Sequence, residues 1–491
     1  MSQYWILAAI LLPVLGGLLI PILPFTGKRT MHLFIETVVL ATSIIVWLLL
    51  LQGTTDGFDV VYFVENLSVA FRIDGMSMIF AGLIAVLWPL ATLYAFEYME
   101  HAERQKAFFM FFTMTYGVTL GIAFASDMLT LYFFYELLTL VTVPLVMHNM
   151  NRESILAVRR YLYYSLGGAA FALMGMIFLI IYGNTLKFTL GGVLDASLLQ
   201  EHRSMMLWLY FFSFMGFGVK AAIFPVSSWL PQAGVAPTPV TALLHAVAVV
   251  NAGAFGIIRL TYYSFGTDLL RGTWVQTACM AVTMFTIVYG CSRAVKETHI
   301  KRRLAWSTVS NLSYILFGAT IMTPLGMVGA LAHFVFHGFM KITSFLCAGA
   351  FMHQTGKTHV YHMNGMGRKM KVVFGTFTVS ALGLMGVPGL AGFISKWNLT
   401  AAAVESGNVL AYGGIVCLLV SALLTAIYML SVVIRAFFPH AEAEPEALSE
   451  AGDPSWRMCV PLLICAAFVI AFGFCSGPLI DFFRAVALGL E

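Results

Sequence analysis

Long apolar runs alternate with short polar breaks along nearly the whole chain. A bilayer core takes about 20 apolar residues per helix, and on that ruler the sequence predicts about 14 spans. They fall at roughly 4–25, 31–51, 75–97, 107–125, 128–148, 158–183, 205–232, 238–263, 273–291, 303–322, 326–352, 372–404, 409–437 and 457–483. Two of these runs are interrupted. The seventh meets Pro225 and Pro231, and the twelfth contains Gly386, Pro388, Gly389 and Gly392. Proline removes a backbone donor, so such breaks are tolerated in a membrane only where they are buried in protein or face a hydrated cavity. Two broken helices five spans apart also suggest an internal repeat of the kind transporters carry.

Composition fits that pattern. Of 491 residues, 60% are hydrophobic and 10% charged, against about 25% charged in soluble proteins. The chain is therefore expected to be an all-α polytopic protein embedded in a lipid bilayer. A net charge of +4 is small and spread over short loops, so nothing in it suggests nucleic-acid binding. The seven cysteines sit in apolar runs and form no CxxC, so no disulfide, iron–sulfur or zinc site is expected in this chain. Residues 4–25 lack a basic leader and a small-residue cleavage site, and read as a retained first span.

Charge also sets an orientation. Most of the 27 lysines and arginines fall on alternate loops, starting with residues 26–30; Lys28, Arg104, Arg159, Arg302 and Lys369 are examples. By the positive-inside rule these loops are cytoplasmic and both termini lie outside. The expected location is a prokaryotic cytoplasmic (inner) membrane. Residues 438–456 form an acidic, Pro-containing loop, and 184–204 a short surface segment.

The chemistry lies in ionisable residues placed inside spans, which are costly there and commonly mark ion or proton paths. His333, His337 and Lys341 in HFVFHGFMK share one helical stripe, about 12 Å long at the rise of an α-helix. Glu136 lies mid-way along the fifth span, Lys220 just before the seventh breaks, His245 in the eighth and Lys396 just after the break in the twelfth. A dry lysine releases its proton readily, a neighbouring carboxylate makes it hold on, and imidazole relays through either nitrogen. Each residue alone is open to a structural reading, as an ion pair or a hydrogen bond to a carbonyl; their conjunction points to a proton path. A metal reading of His333 and His337 lacks a third ligand and meets the repulsion of Lys341. Sodium would want several oxygen ligands at one depth, whereas these residues are mostly basic.

At these positions the chain resembles the antiporter-like membrane subunits shared by respiratory complex I, Mrp-type cation/proton antiporters and energy-converting membrane-bound hydrogenases. The resemblance runs from about residue 70 to about 435. It is carried by SDMLTLYFFYELLTL, GVKAAIFPVSSWLPQAGVAPTPVTALLHA, HIKRRLAWSTVSNLSYI, HFVFHGFMKITSFLCAG and PGLAGFISKW. It implies N-terminal helices over 1–105, two inverted five-helix repeats over 106–264 and 265–437, and an acidic loop with a last helix over 438–491. It further implies a coupled pair Glu136–Lys220 in one half-channel, Lys341 as a central switch flanked by His333 and His337, Lys396 at the outlet of the second half-channel, and His245 between the first pair and the centre. The sequence departs from many relatives in having Asn251 where they carry a lysine, and in lacking an aspartate in YYSLGGAAFALMG.

The function so implied is a proton-translocating subunit of a multisubunit redox-driven complex, of complex I or membrane-bound hydrogenase type. The chain shows no redox motif, so it is expected to hold no cofactor. Any iron–sulfur, nickel–iron or flavin centre belongs to partner subunits: other antiporter-like and small helical membrane proteins, with a peripheral hydrogenase, formate or NADH module. The rivals are a subunit of an Mrp-type Na+/H+ antiporter without redox chemistry, and a non-conducting scaffold.

Overall fold

The computed structural model describes residues 3–64, 67–439 and 451–490. Helices α1 (Tyr4–Ile22), α2 (Lys28–Leu50), α3 (Gly75–Tyr98), α4 (Gln105–Ala123), α5 (Met128–Val146) and α6 (Arg152–Tyr182) follow the first six predicted runs. A short antiparallel hairpin, β1 (Phe58–Val64) and β2 (Leu67–Phe71), stands between α2 and α3 with Phe58 opposite Phe71. Polar residues at the ends of the runs start several helices. The Asp74, Asp127 and Asn151 side chains accept from the Ser77, Thr130 and Ser154 amides at 2.9, 2.7 and 2.8 Å, satisfying donors that have no partner within the helix.

The seventh run is broken as expected. Helix α7 (Ala196–Lys220) stops at Lys220, Ala222 takes a φ of 56°, and a short α8 (Trp229–Ala233) follows. The freed Val219 carbonyl accepts from the Trp229 indole at 2.8 Å, so the irregular backbone is satisfied inside the protein. A further break was not foreseen. The eighth run splits into α9 (Thr238–Ala246) and α10 (Val249–Ile258), which passes into a π-helical turn over Arg259–Phe265. The Asn251 amide donates to the Ala246 carbonyl at 3.0 Å and so caps this break. No proline marks the position, and the sequence pattern hides it. A four-residue turn, α11 (Thr267–Leu270), leads to α12 (Trp274–Lys296).

Helices α13 (Ile300–Ile321) and α14 (Pro324–Thr355) form the centre of the second half. Helix α14 packs on α3, α9, α13, α15 (Lys371–Met385), α16 (Ala391–Glu405), α18 (Trp456–Phe474) and α19 (Gly477–Leu488). Its apolar window is wholly buried, whereas α1, α17 (Val409–Phe437) and α18 expose most of theirs. The break between α15 and α16 is made by Gly386, whose φ of 89° ends α15; a Cβ there would stand 2.9 Å from the Lys396 side chain. The last predicted run, 457–483, is not one helix: it divides between Phe474 and Gly477 into α18 and α19. Residues 440–450 of the acidic loop lie outside the described residues.

Eleven helical segments among the described residues are long and apolar enough to cross a membrane, so this is an integral membrane protein. The difference from the fourteen predicted runs falls at α7, at α13 with its basic start and polar face, and at the half-length α15 and α16.

Hydrogen bonds sort the loops into two sets. In one, Lys28 reaches the Glu100 carbonyl at 2.7 Å, Lys301 the Ala236 carbonyl at 2.7 Å, the Ile300 amide Thr358 at 3.0 Å and the Gly365 amide Arg435 at 2.9 Å. In the other, the Arg72 amide meets Phe124 at 2.9 Å, Met128 meets Leu186 at 3.3 Å and Thr189 meets Tyr263 at 3.2 Å. These are the alternate loops that the charge pattern separates. At the end of α10 a buried Arg259 holds Asp74 through two bonds of 2.8 and 2.7 Å. Burial alone would raise the Asp74 carboxyl, but Arg259 and then Arg72 outweigh it and hold it well below the usual carboxylate range.

Candidate functional site

The broken helices and α14 carry the ionisable residues, most of them buried. Lys220, the last residue of α7, is fully buried, with its ammonium 3.9 Å from Glu136 Oε1. The ammonium lies 3.3 Å from the centroid of the Tyr135 ring and donates to the Tyr135 carbonyl. The Glu136 side chain keeps 24% exposure, so the acid of the pair reaches outward and the base is sealed.

His245 sits one residue before the end of α9 and is fully buried; neither ring nitrogen has a hydrogen-bond partner. Its ring lies 4.6 Å from that of Phe345. The adjacent Ala246 carbonyl faces Gly338, where a Cβ would stand 3.2 Å away. His245 therefore lies against the stretch of α14 that carries Lys341. Among the hydrogen bonds, ion pairs and ring contacts of the described residues, none joins Lys220 to His245.

The centre is Lys341, fully buried, donating to Ser307 Oγ at 2.5 Å and to the Leu304 carbonyl at 3.3 Å on α13. Ser307 also contacts the Tyr428 hydroxyl at 2.6 Å, and Tyr428 contacts Thr425 at 3.1 Å. One turn before Lys341, the His337 ring has no partner at either nitrogen; it stacks on His333 at 5.9 Å. His333 Nδ1 meets Ser395 Oγ at 2.9 Å, and the ring stacks on Tyr314 at 5.0 Å. The other face of the chain is Lys396, whose ammonium lies 5.4 Å from the Tyr314 ring and donates to the Leu384 and Met385 carbonyls at 2.7 and 3.0 Å. Those carbonyls are freed by the break after α15, which is how the broken helix holds a cation without a carboxylate.

The structure thus links His337, His333, Tyr314 and Lys396 through successive ring and ammonium contacts, with Lys341 one turn beyond His337 on the same helix, His245 packed against that helix, and Glu136–Lys220 apart from them. Sequence reasoning did not single out Ser307, Tyr314, Ser395 or Tyr428. A signal was present for two of them: Ser307 and Tyr314 stand seven residues apart in STVSNLSY on α13, the repeat of one helix face. Ser395 and Tyr428 come from other helices and carry no such mark. Buried polar groups are nearly always hydrogen-bonded to protein or ordered water. The unpartnered nitrogens of His245, His333 and His337 therefore fit a hydrated path through this row. Among the described residues no cluster of three or more His, Cys, Asp or Glu is set to hold a metal ion.

The fold and this row define a class: a polytopic helical membrane protein with a buried, basic, ionisable axis and broken helices at both ends. Residues 125–425 match the family described as NADH:quinone oxidoreductase/Mrp antiporter, TM, and residues 64–109 match the NADH-ubiquinone oxidoreductase (complex I) chain 5 N-terminus. The chain belongs to this family of antiporter-like membrane subunits. It is 27% identical to an NAD(P)H-quinone oxidoreductase chain 4 from Picosynechococcus sp., over 96% of this chain and 88% of that protein. Its fold is that of a chain in the Mrp complex from Dietzia sp. DQ12-45-1b (TM-score 0.85, 20% identity, 100% of this chain and 98% of that one). It is equally that of a chain in the membrane-bound sulfane sulfur reductase, an archaeal respiratory membrane complex (TM-score 0.85, 21% identity, 99% and 97% covered).

Proposed function

We propose that this chain is a proton-translocating subunit of a multisubunit, redox-driven membrane complex, with Glu136, Lys220, His245, His333, His337, Lys341 and Lys396 as its proton path. The observation that carries the reading is the buried row from Lys341 through His337 and His333 to Lys396, lined by imidazole nitrogens that no protein group satisfies. Each member is a group that accepts or releases a proton at moderate cost. Electrons would flow in partner subunits, since no redox centre is expected in this chain. Relatives named as quinone oxidoreductase chains support the redox-driven form. The likeness to an Mrp complex supports a second form, a sodium/proton antiporter subunit without redox chemistry.

In this reading the chain crosses a prokaryotic inner membrane fourteen times, α7–α8, α9–α10 and α15–α16 each counting as one broken pass. The basic loops face the cytoplasm and both termini the outside, in keeping with the loop charge. The spans over 106–264 and 265–437 form two inverted repeats, each with its broken helix. The test is to isolate the native complex, identify the co-purifying subunits and measure proton uptake in inverted vesicles with Lys341→Ala. Loss of proton movement with the complex intact is expected; undiminished pumping overturns the reading. Co-purifying iron–sulfur, nickel–iron or flavin subunits support the redox-driven form, and small membrane proteins alone support the antiporter.

A further inference from the structure

Helix α2 carries an ionisable stripe of its own, away from the row described above. Lys28, His32 and Glu36 follow at intervals of four residues and share a helix face. The stripe begins at a cavity of about 760 Å³ lined by Phe25, Lys28, Glu100, His101, Arg104 and Lys106, among others. Glu36 lies about 12 Å further along the helix at its usual rise, and its Oε2 is buried with no hydrogen-bond partner.

One turn before Glu36 the stripe packs against α3 and α4. His32 stacks on Phe96 of α3 at 4.3 Å and meets Phe109 of α4 edge-on at 5.7 Å, and its Nε2 is buried without a partner. Helices α2 and α4 leave the same set of loops and run the same way, so the residues four beyond His32 and Phe109 reach the same depth. These are Glu36 and Thr113, and Thr113 Oγ1 is also buried and unpartnered. Deeper in the bundle Ser43 contacts Tyr116 at 2.8 Å, and Tyr116 stacks at 5.1 Å on Trp88, whose Nε1 is again unpartnered.

Polar atoms from α2, α3 and α4 thus share one need. Buried groups of this kind are satisfied by ordered water when protein cannot serve. The charged groups acting on the stripe are Arg457 from α18, Glu100 beyond α3 and Lys28, all at the His32 end. Glu97 of α3 is engaged by Ser455, α1 carries no charge, and among the described residues no charged side chain acts on Glu36. A metal cation would want several oxygens, whereas the Trp88 N–H and the His32 ring offer nitrogen.

We propose that Glu36 is a second proton-binding site, hydrated, filled from water at the loop-side cavity past Lys28 and His32, and separate from the Glu136-to-Lys396 row. The proton comes from bulk water and rests on a carboxyl oxygen, leaving the site neutral within the membrane. The inference deepens the proton-translocation reading and rests on it for its physiological role, but its test does not require pumping.

The native complex in membrane vesicles is treated with dicyclohexylcarbodiimide, a lipid-soluble reagent for protonated carboxyls, and the labelled peptides are read by mass spectrometry. Label on Glu36 is expected, falling by up to about tenfold per pH unit once the site loses its proton, and absent in an assembled Glu36→Gln complex. Two results overturn the proposal. One is an unlabelled Glu36 across the pH range. The other is a Glu36→Gln complex that falls apart, which would mark an ionised Glu36 paired with a basic residue on a neighbouring subunit. Failure here leaves the Lys341→Ala experiment to decide the function on its own.

Discussion

The Lys341 ammonium stands 2.5 Å from the Ser307 hydroxyl, and that hydroxyl stands 2.6 Å from the Tyr428 phenol. A buried cation held by a hydroxyl and a carbonyl, with no ion pair among the described residues, is poorly compensated. In the proposed path the Ser307 and Tyr428 hydroxyls would offer the first step for a proton leaving Lys341. Lys341→Ala is expected to lower proton translocation by about tenfold or more, a change of about 1.4 kcal/mol or more in the barrier. Ser307→Ala should lower it less, by about threefold, because the Leu304 carbonyl remains. Both are read as vesicle acidification per turnover, with assembly checked by native gel. A Ser307→Ala protein more damaged than Lys341→Ala would mean that the hydroxyl holds the fold rather than the proton.

The Glu136–Lys220 pair separates charge from proton transfer. Lys220 is sealed against the Tyr135 ring and carbonyl, with the carboxylate 3.9 Å away. Lys220→Arg keeps the charge, but a guanidinium does not give up its proton. If Lys220 only balances Glu136, the arginine variant works; if it carries protons, Lys220→Arg should be as inactive as Lys220→Met while both assemble. Measuring proton movement in the two variants decides between these roles.

Much of this arrangement was legible in the sequence, because membrane helices write themselves as long apolar runs and because a lysine inside one is conspicuous. Lys220, Lys341 and Lys396 stood out for that reason, and the Pro and Gly residues marked the breaks after Lys220 and before Lys396. The break at Val247 was hidden. It is made by tertiary packing, with Asn251 capping Ala246, and no local residue announces it. The division of the last run at Cys475 and Ser476 was missed although Gly477 and Pro478 mark it, because the apolar residues resume directly after them. Tyr428 and Ser395 were missed because the row is assembled from helices far apart in the chain, and contact across helices leaves no period in a single sequence.

Asp74 and Arg259 make a different kind of buried pair. Asp74 caps α3 and holds the start of the π-helical turn, with both bonds to Arg259 buried. Removing one partner of such a pair strands a charge and costs about 3–5 kcal/mol. Asp74→Ala is expected to lower the thermal midpoint of the detergent-solubilised complex strongly, and Asp74→Ala with Arg259→Leu to recover part of the loss. If the double variant is no better than the single one, the cap on α3 matters more than the charge.

A pH-dependent contact lies outside the membrane-spanning helices, where residues 356–363 are pinned to the start of α13. The Ile300 amide bonds to Thr358 and the Val360 amide to Thr298, both at 3.0 Å, and the rings of His299 and His359 lie 5.6 Å apart. Burial lowers His299 to about 4, helped by Lys301, Arg302 and His359 and opposed by Glu297. A released His299 would titrate at about 6.5. Between those values the released form binds more protons, so the pinned form is fully favoured above about 6.5 and weakens as the pH falls toward 4. Hydrogen exchange at residues 356–363, corrected for intrinsic rates, should be faster at pH 5.5 than at pH 7.5 by up to about tenfold. His299→Gln should flatten that difference. Equal protection at both pH values in the parent protein would show that His299 does not control this segment.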